Sequence, residues 1–181
     1  EAGTAFARLY GILERHNVAI AMAGDTHDFE YYVQPVETAR GGIHHVLNGG
    51  GGAYLSIGTA LDWPAAPPVT QWAYYPSTKA VQQKLANETP LWKRPALMWI
   101  NFAKAWPFSV EALSGIFDFN KAPFFQSFVE VQVKPQLNEV RLLLHGVNGL
   151  LTWGDFDKSG KLASEHSSAD PVIITLPLQQ R

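Results

Sequence analysis

A six-residue apolar run that ends at a glycine constrains the fold of this chain most strongly. Residues 18–23 read Val-Ala-Ile-Ala-Met-Ala, and Gly24 follows them directly. A run this short, without polar alternation, predicts a strand buried on both faces of a sheet. Ionisable residues come immediately afterwards: Asp25, His27, Asp28 and Glu30. Because side chains at the surface end of a buried strand commonly bind ligands, we expect the functional site here.

The segment before the apolar run has the pattern of an amphipathic helix over residues 4–16. Its apolar residues recur at i, i+3, i+4 and i+7 and are Phe6, Leu9, Tyr10 and Leu13. We predict Thr4 as the N-cap and Asn17 as the stop. A helix followed by a strand and Gly-Asp indicates an α/β (α+β) domain built in layers.

A second strand is predicted at residues 43–47, and it runs into four consecutive glycines, Gly49 to Gly52. Glycines permit positive φ or close backbone approach. Two interpretations stay open. The favoured one is a tight turn at the strand end, and the other is a cradle in which the amides of Gly50 and Gly51 hold a phosphate. The Tyr-rich residues 30–36 are predicted to run along a sheet edge.

The remainder of the chain divides into two parts. Residues 59–123 are rich in Trp and Pro, which predicts helices and loops over one side of the sheet. They include a helix from Ser77 to Asn87 and another after Pro95. Residues 124–181 alternate apolar and polar positions, which predicts a β-hairpin over 124–145 and strands at 150–153 and 172–178. Together with residues 1–58, these parts are predicted to form one domain.

Composition excludes several classes of function. The formal net charge of −2 gives no electrostatic footprint for nucleic acid. The absence of cysteine excludes disulfides, thiolate metal sites and a cysteine nucleophile. The sequence has no signal peptide and no 18-residue apolar span, and we favour a cytoplasmic or membrane-associated location. Because the chain starts at Glu1 and leads straight into a helix, we expect a processed chain or a piece of a longer protein.

The residues from Gly24 to Tyr31 carry a resemblance to a known family. They read Gly-Asp-Thr-His-Asp-Phe-Glu-Tyr, and the His44-His45 strand then leads to Asn-Gly-Gly-Gly-Gly-Ala. This arrangement resembles the C-terminal half of calcineurin-like metallophosphoesterases. Their last metal-binding motif is G-H-x-H, often followed by an aromatic residue, a Glu and a glycine-rich strand end. The likeness is strongest over residues 1–58 and 124–153, and it implies a four-layer αββα sandwich around a two-metal centre.

The resemblance implies roles for individual residues. His27 matches the second histidine of the motif, a ligand of one metal, and Asp25 stands where the first histidine binds the other. Asp28, Glu30 and His45 would orient these ligands. Divalent Mn, Fe or Zn suits such a mixture of carboxylate and imidazole. Some large bacterial and plant members share this G-D-x-H variant.

A rival alignment makes Asp25-Thr26-His27 the opening D-x-H motif of the family. That motif should be followed by G-D and G-N-H motifs, and neither follows at the required spacing. The helix before it and the glycines after it favour the last motif instead. The resemblance then implies that the other metal ligands belong to a missing N-terminal half. A two-metal hydrolase needs them to activate water and hold the phosphate, so this chain alone is expected to be inactive.

Other candidate sites come from patterns that also have ordinary structural explanations. Asp155, Asp157 and Ser159 resemble the start of a calcium loop, although His166 stands where Glu is required, and an ordinary β-turn is favoured. His44 and His45 should point to opposite faces of a strand, so they make a poor chelating pair. His145 is predicted to be an ordinary strand-end residue.

An aromatic stripe supports a second class of function. Trp92, Trp99 and Trp106 recur every seven residues beside basic residues, as in a helix that lies on a membrane surface. Core packing is the favoured interpretation of this stripe.

The resemblance makes the C-terminal part of a metal-dependent phosphoesterase, which hydrolyses phosphate esters, the leading hypothesis. The alternative is a non-catalytic membrane-surface or partner-binding module on a degenerate phosphoesterase fold.

Overall fold

The protein is a mixed α+β domain in which β-sheet dominates. The computed structural model describes residues 2–24, 28–35, 42–51, 69, 71–88, 91–93 and 125–178. Its helices are α1 (Ala2–Arg15), α2 (Thr78–Glu88) and α3 (Lys161–Glu165). Its strands are β1 (Ile20–Ala23), β2 (Phe29–Gln34), β3 (Ile43–Asn48), β4 (Gln71–Tyr75), β5 (Ser127–Lys134), β6 (Glu139–Gly146), β7 (Gly149–Leu150), β8 (Asp157–Ser159) and β9 (Ile173–Pro177). Short 3₁₀ turns lie at Leu91–Lys93, Pro135–Leu137 and Trp153–Asp155.

The first sheet contains five of the described strands in the order β1-β3-β2-β4-β8. β1 runs parallel to β3, and the other neighbours are antiparallel. The prediction that residues 30–36 follow a sheet edge is wrong, because β2 lies between β3 and β4. Its alternate side chains Phe29, Tyr31 and Val33 are buried, and this burial explains why a tyrosine-rich strand occupies the centre.

The second sheet is formed by the predicted hairpin and its neighbours. β5 pairs with β6 along its whole length, and β7 and β9 pair with β6 in turn. The turn is closed by Asn138, whose φ of 53° is a left-handed conformation that asparagine tolerates. The hairpin prediction is therefore confirmed. The strand predicted at 172–178 is confirmed as β9, whereas the one predicted at 150–153 ends at Leu150, because Trp153 begins a 3₁₀ turn.

The hydrophobic core lies between the two sheets. β2, β3 and β4 contribute one wall, and Leu142, Leu144, Ile174 and Leu176 contribute the other. Trp153 and Phe156 complete it from the segment that leads into β8. Fully burying such a side chain stabilises a fold by roughly 1.5–3 kcal/mol, so this shared core holds the two sheets together.

The N-terminal helix is confirmed, with a corrected start. α1 begins at Ala2, so Thr4 lies inside its first turn and is not the N-cap. Asn17 ends the helix as predicted, with a φ of 49°. The amide of Asn17 donates to the Glu14 carbonyl at 3.0 Å and that of Val18 to the Leu13 carbonyl at 2.9 Å, a Schellman arrangement that satisfies the last carbonyls.

β1 is confirmed as a strand, but its predicted burial on both faces is wrong. Among the described strands it is the outermost of the first sheet, and it pairs with β3. Met22 is 54% exposed, and Leu9 and Ile12 of the preceding helix are also exposed. An apolar run predicts a strand that suits a buried position, but it does not fix which neighbour covers it.

The Trp- and Pro-rich part includes a strand that its composition did not suggest. Gln71–Tyr75 forms β4, inside the first sheet, where helices and loops were expected. The helix predicted to start after Ser77 is confirmed as α2. Ser77 caps it, because its Oγ accepts a hydrogen bond from the Ala80 amide at 3.2 Å. The helix predicted after Pro95 lies outside the described residues.

Candidate functional site

Several strand ends meet at one edge of the first sheet, which we call the glycine edge: Gly24, Asp28, residues 48–51 and Ser127. β1 and β3 are parallel, so their carboxyl ends lie side by side at Ala23 and Leu47. A Cβ on Gly24 would lie 3.4 Å from the Asn48 carbonyl, so the two chains run close together here. β2 starts at this same edge, since Phe29 pairs with Asn48.

The two predicted metal ligands, Asp25 and His27, lie outside the described residues. The residues on either side of that segment are described, and both belong to the glycine edge. Gly24 follows the last residue of β1, and Asp28 precedes the first residue of β2. Only three residues connect Gly24 to Asp28 along the chain.

Asp28 and Glu30, the predicted orienting carboxylates, occupy different environments. Asp28 is buried, and its carbonyl accepts a hydrogen bond from the Gly49 amide at 3.2 Å. Its charge contributes to the raised pKa of Tyr74, after burial and the nearer Asp157. Glu30 is half-buried on β2, opposite Leu47 and Tyr74. Asp28 is therefore the described carboxylate at the glycine edge itself.

His44 and His45 point to opposite faces of β3, as predicted. His44 Nδ1 forms a 2.8 Å hydrogen bond with the Tyr31 hydroxyl, and His45 Nε2 forms a 3.0 Å hydrogen bond with Gln34 Oε1. Burial lowers the pKa of both, and the neighbouring His45 lowers that of His44 further. Gln34 ends β2, whereas Asp28 precedes its start, so the described partner of His45 lies at the sheet end opposite the glycine edge.

His45 is held by an aromatic cluster against α1. Its ring stacks on that of Tyr32, with 4.6 Å between the ring centroids. It also meets the ring of Tyr10 of α1 edge-on, with 6.0 Å between centroids. Burial raises the pKa of Tyr32, and the neighbouring Tyr10 and Glu30 raise it further. These contacts fix α1 on the first sheet, and a role for His45 in orienting a metal ligand stays a prediction.

The glycine turn, which we define as the described residues 49–51 after β3, brings the two sheets close together. The Gly50 carbonyl accepts a hydrogen bond from the Ser127 amide at 3.4 Å, and a Cβ on Gly50 would lie 3.1 Å from Ser127 Oγ. That hydroxyl donates to Asn48 Oδ1 at 3.2 Å. Close approach therefore explains Gly50. Gly51 is exposed, and its use as a phosphate cradle together with Gly50 stays a prediction.

The carboxylates of the calcium-loop candidate are engaged in local structure. Asp155 Oδ2 accepts hydrogen bonds from the amide and the hydroxyl of Thr152 at 2.9 and 2.8 Å. Asp157 Oδ2 accepts from the Tyr74 hydroxyl and the Thr78 amide, each at 2.7 Å. Ser159 is the last residue of β8 and pairs with Trp72 of β4. The segment forms a 3₁₀ turn, a strand and α3 in place of the favoured β-turn, and calcium binding there stays a prediction.

Sequence reasoning missed a pocket beside the glycine edge. It is a largely open depression with a volume of about 310 Å³, and it is lined by Gly51, Gln126, Ser127, Phe128, Gly146 and Val147. His145, expected to be ordinary, stacks on the ring of Phe128 and donates a 2.8 Å hydrogen bond to Glu130 Oε2. The available signal was Phe128 itself, an aromatic residue at a polar position of the hairpin alternation.

Comparisons with known proteins do not assign this site. Searches against protein-family models, curated proteins and solved structures found no match. Within the described part of the chain, no three His, Cys, Asp or Glu side chains gather as a metal site would require. No helix among the described residues is both long enough and apolar enough to cross a membrane.

Proposed function

We propose that this chain is the C-terminal part of a metal-dependent phosphoesterase, built as part of a four-layer αββα sandwich. Asp25 and His27 bind divalent metal ions at the glycine edge, and Asp28 helps to orient them. The substrate is a phosphate ester. The remaining ligands come from the missing N-terminal half, supplied upstream in the same protein or by another chain. When bound, the metal ions activate a water molecule and hold the phosphate oxygens.

The observation that carries this proposal is the convergence of strand ends at the glycine edge. The motif that resembles the phosphoesterase signature spans the three residues between Gly24 and Asp28, and both of these belong to that edge. The glycine turn lies beside them, because the Gly49 amide donates to the Asp28 carbonyl at 3.2 Å. Ligands bind preferentially where the carboxyl ends of neighbouring parallel strands meet, and β1 and β3 are such a pair.

The chemistry of the donor set fits the proposed metals. A carboxylate and an imidazole are ligands that Zn, Fe and Mn accept. The buried Asp28 is a further carboxylate, next to these residues in the sequence, and its charge contributes to the raised pKa of Tyr74. Buried carboxylates near a ligand commonly fix its orientation. Asp28 is therefore a positioning residue.

The described layers, two sheets and helix α1, also support an incomplete sandwich. Two sheets enclose the core, and Tyr10 of α1 contacts His45 on the outer face of the first sheet. Met22 on β1, the outer described strand of that sheet, is exposed, and so are Leu9 and Ile12 on α1. Elements of the missing half would cover them, since apolar parallel strands are normally buried.

Metal binding tests the proposal in the protein that contains this chain together with the missing half. We expect it to bind two divalent ions and to hydrolyse phenyl phosphate, and we expect His27→Ala to abolish both. The matched control is His16→Ala, because His16 is an exposed histidine just after α1. Isothermal titration with Mn²⁺ and phosphate release measure the two properties. A wild-type protein that binds no divalent metal overturns the proposal.

The alternative of a membrane-surface module keeps some support from one observation. Leu91 and Trp92 are 75% and 76% exposed and precede Lys93 in the sequence. Adjacent exposed apolar and aromatic side chains beside a cation are typical of a membrane-surface contact. Trp99 and Trp106, the other residues of the stripe, lie outside the described residues.

Liposome co-sedimentation tests this alternative. If it holds, the wild-type chain binds anionic vesicles and the Leu91→Ser/Trp92→Ser double variant does not. Leu137→Ser is the matched control, since Leu137 is an exposed leucine in another 3₁₀ turn. Equal sedimentation of all three proteins removes the case for membrane binding.

A further inference from the structure

The pocket beside the glycine edge has the size and lining of a binding subsite. Its volume of about 310 Å³ is at the lower end of the range of roughly 300–1,000 Å³ seen for small-molecule sites. An apolar cavity of roughly 150 Å³ already holds a benzene ring. The pocket therefore has room for one ring and a small attached group.

Phe128 forms a fixed wall of this pocket. The residue is 56% exposed although it lies in a regular strand. Its ring stacks on the imidazole of His145, its cross-strand partner, with 4.8 Å between centroids and 7° between planes. Phe128 lines the pocket together with Gly146, the last residue of β6, and Val147.

A polar chain holds the imidazole behind Phe128 in place. His145 Nε2 donates to Glu130 Oε2 at 2.8 Å, and Gln132 Nε2 donates to Glu130 Oε1 at 2.6 Å. The pKa of Glu130 is lowered by these hydrogen bonds, from Gln132 first and from His145 second, so the carboxylate stays charged. A ring that is already oriented loses little conformational entropy when a flat ligand stacks on it.

A short path of hydrogen bonds joins this pocket to the proposed phosphate site. The Gly49 amide donates to the Asp28 carbonyl, and the Ser127 amide donates to the Gly50 carbonyl. Gly51 and Ser127 then line the pocket itself. Because the pocket and the glycine edge share Gly51 and Ser127, the phosphate and the organic group of one ester can occupy neighbouring sites.

We propose that this pocket is a subsite for a planar, aryl-type group that stacks on Phe128. In the phosphoesterase proposed above, on which the identity of the ligand rests, this group is the organic part of the phosphate ester. The substrate class is then an aryl or heteroaryl phosphate. His145 and Glu130 are positioning residues, because they act through the Phe128 ring.

The test is an NMR titration of this chain with phenyl phosphate, phenol and inorganic phosphate in separate arms. We expect phenol and phenyl phosphate to shift the amides of Gly51, Phe128 and Val147, and inorganic phosphate to leave Phe128 and Val147 unshifted. Phe128→Ala and Phe128→Leu should each weaken phenol binding roughly threefold to tenfold, as for the loss of one aromatic contact. Phe128→Leu keeps an apolar side chain, so it separates stacking from general hydrophobicity.

Val131→Ala is the matched control for both variants. Val131 is an exposed apolar residue of the same strand, but its cross-strand partner is the buried Leu142, so it lies on the other face. We expect its affinity for phenol to equal that of the wild type. Phenol and phenyl phosphate that leave all three amides unshifted overturn the subsite, and so does equal affinity in Phe128→Leu and the wild type.

Phenol carries no phosphate, so its arm separates the two proposals. Phenol binding at Phe128, in a protein whose complete form hydrolyses no phosphate ester, keeps the subsite and removes the phosphoesterase. Metal-dependent hydrolysis of phenyl phosphate with the same kcat/KM in the wild type and Phe128→Ala keeps the phosphoesterase and removes the subsite.

Discussion

The two outer strands of the first sheet, among those described, differ in residue composition. β1 is a four-residue strand of Ile, Ala, Met and Ala, and exposed apolar residues of α1 lie near it in the sequence. β8 is a three-residue strand of Asp, Lys and Ser. Natural proteins commonly protect a free edge by making the strand short and charged. β8 has both properties, and β1 has an apolar sequence that suits an internal position.

Side-chain hydrogen bonds and a core aromatic residue also anchor β8 to the rest of the fold. Asp157 accepts two hydrogen bonds, from Tyr74 of the neighbouring strand and from the first turn of α2. Phe156, the residue before β8, packs into the shared core. Among the described strands, β8 therefore has the features of a protected sheet edge, and β1 does not.

Phe156→Ala should give the largest effect, because it removes the core anchor of β8. The ring is buried and packs against the rings of Phe29 and Tyr75, with 5.7 and 5.4 Å between the ring centroids. Truncating a buried phenylalanine costs roughly 3–5 kcal/mol in the free energy of unfolding. Urea denaturation measures this loss. A loss below about 1 kcal/mol would mean that β8 is not anchored through this residue.

Asp157→Asn should give the next largest effect. The variant keeps the shape of the side chain but removes the charge that strengthens the hydrogen bonds from Tyr74 and Thr78. We expect a loss of roughly 1–3 kcal/mol in the free energy of unfolding. Asp170→Asn is the control, since Asp170 also accepts from a backbone amide but is exposed. Equal losses in both variants would contradict a special role for the β8 edge.

Acid should loosen the β1 side of the sheet before the β8 side. Burial lowers the pKa of His44 and His45 on β3, the neighbour of β1, so the folded state favours their neutral forms. The unfolded chain takes up protons at a pKa of about 6.5. This stabilisation is therefore complete above pH 6.5, and it decreases as the pH falls below about 6.5.

Hydrogen exchange at pH 7 and pH 5 measures this difference, once intrinsic exchange rates are corrected. Amides of β1 should gain more exchange at pH 5 than those of β8. His45→Gln should reduce the difference, because one of the two histidines paired with β1 then no longer titrates. An equal gain at both edges would show that the acid response is global.

Met22→Lys should have the smallest effect on the isolated chain. Met22 is mostly exposed, so the free energy of unfolding should change by no more than about 0.5 kcal/mol. If the proposed N-terminal half exists, the same variant should prevent assembly with it, because a lysine placed on a strand edge opposes pairing. Size-exclusion chromatography of the mixed halves measures assembly. Normal assembly of the variant would show that β1 is not the contact surface.

Local patterns carried those parts of the fold that depend on neighbouring residues in the sequence. The helical period before Asn17 predicted α1, and the alternation on either side of Asn138 predicted the hairpin. Both asparagines adopt the left-handed conformation that ends an element. Ser77 was recognised as the cap of α2 for the same local reason.

Long-range neighbours could not be obtained in this way. β4 was missed because Trp and Pro around it suggested helices and loops, and its place depends on pairing with β2. β8 is too short to give a pattern, and its neighbour β4 lies far away in the sequence. The pocket at Phe128 depends on Gly51 and the hairpin coming together, and no local pattern encodes that contact.

The order of strands in the first sheet has a consequence for folding. β3 lies between β1 and β2, although β2 follows β1 in the sequence. β1 and its partner β3 are separated by more of the chain than β2 and β3, which follow each other as a local antiparallel pair. Local pairs form before distant ones because they close shorter loops. By this argument β1 joins the first sheet after β2 and β3 have paired, and β8, whose partner β4 lies far away in the sequence, joins later still.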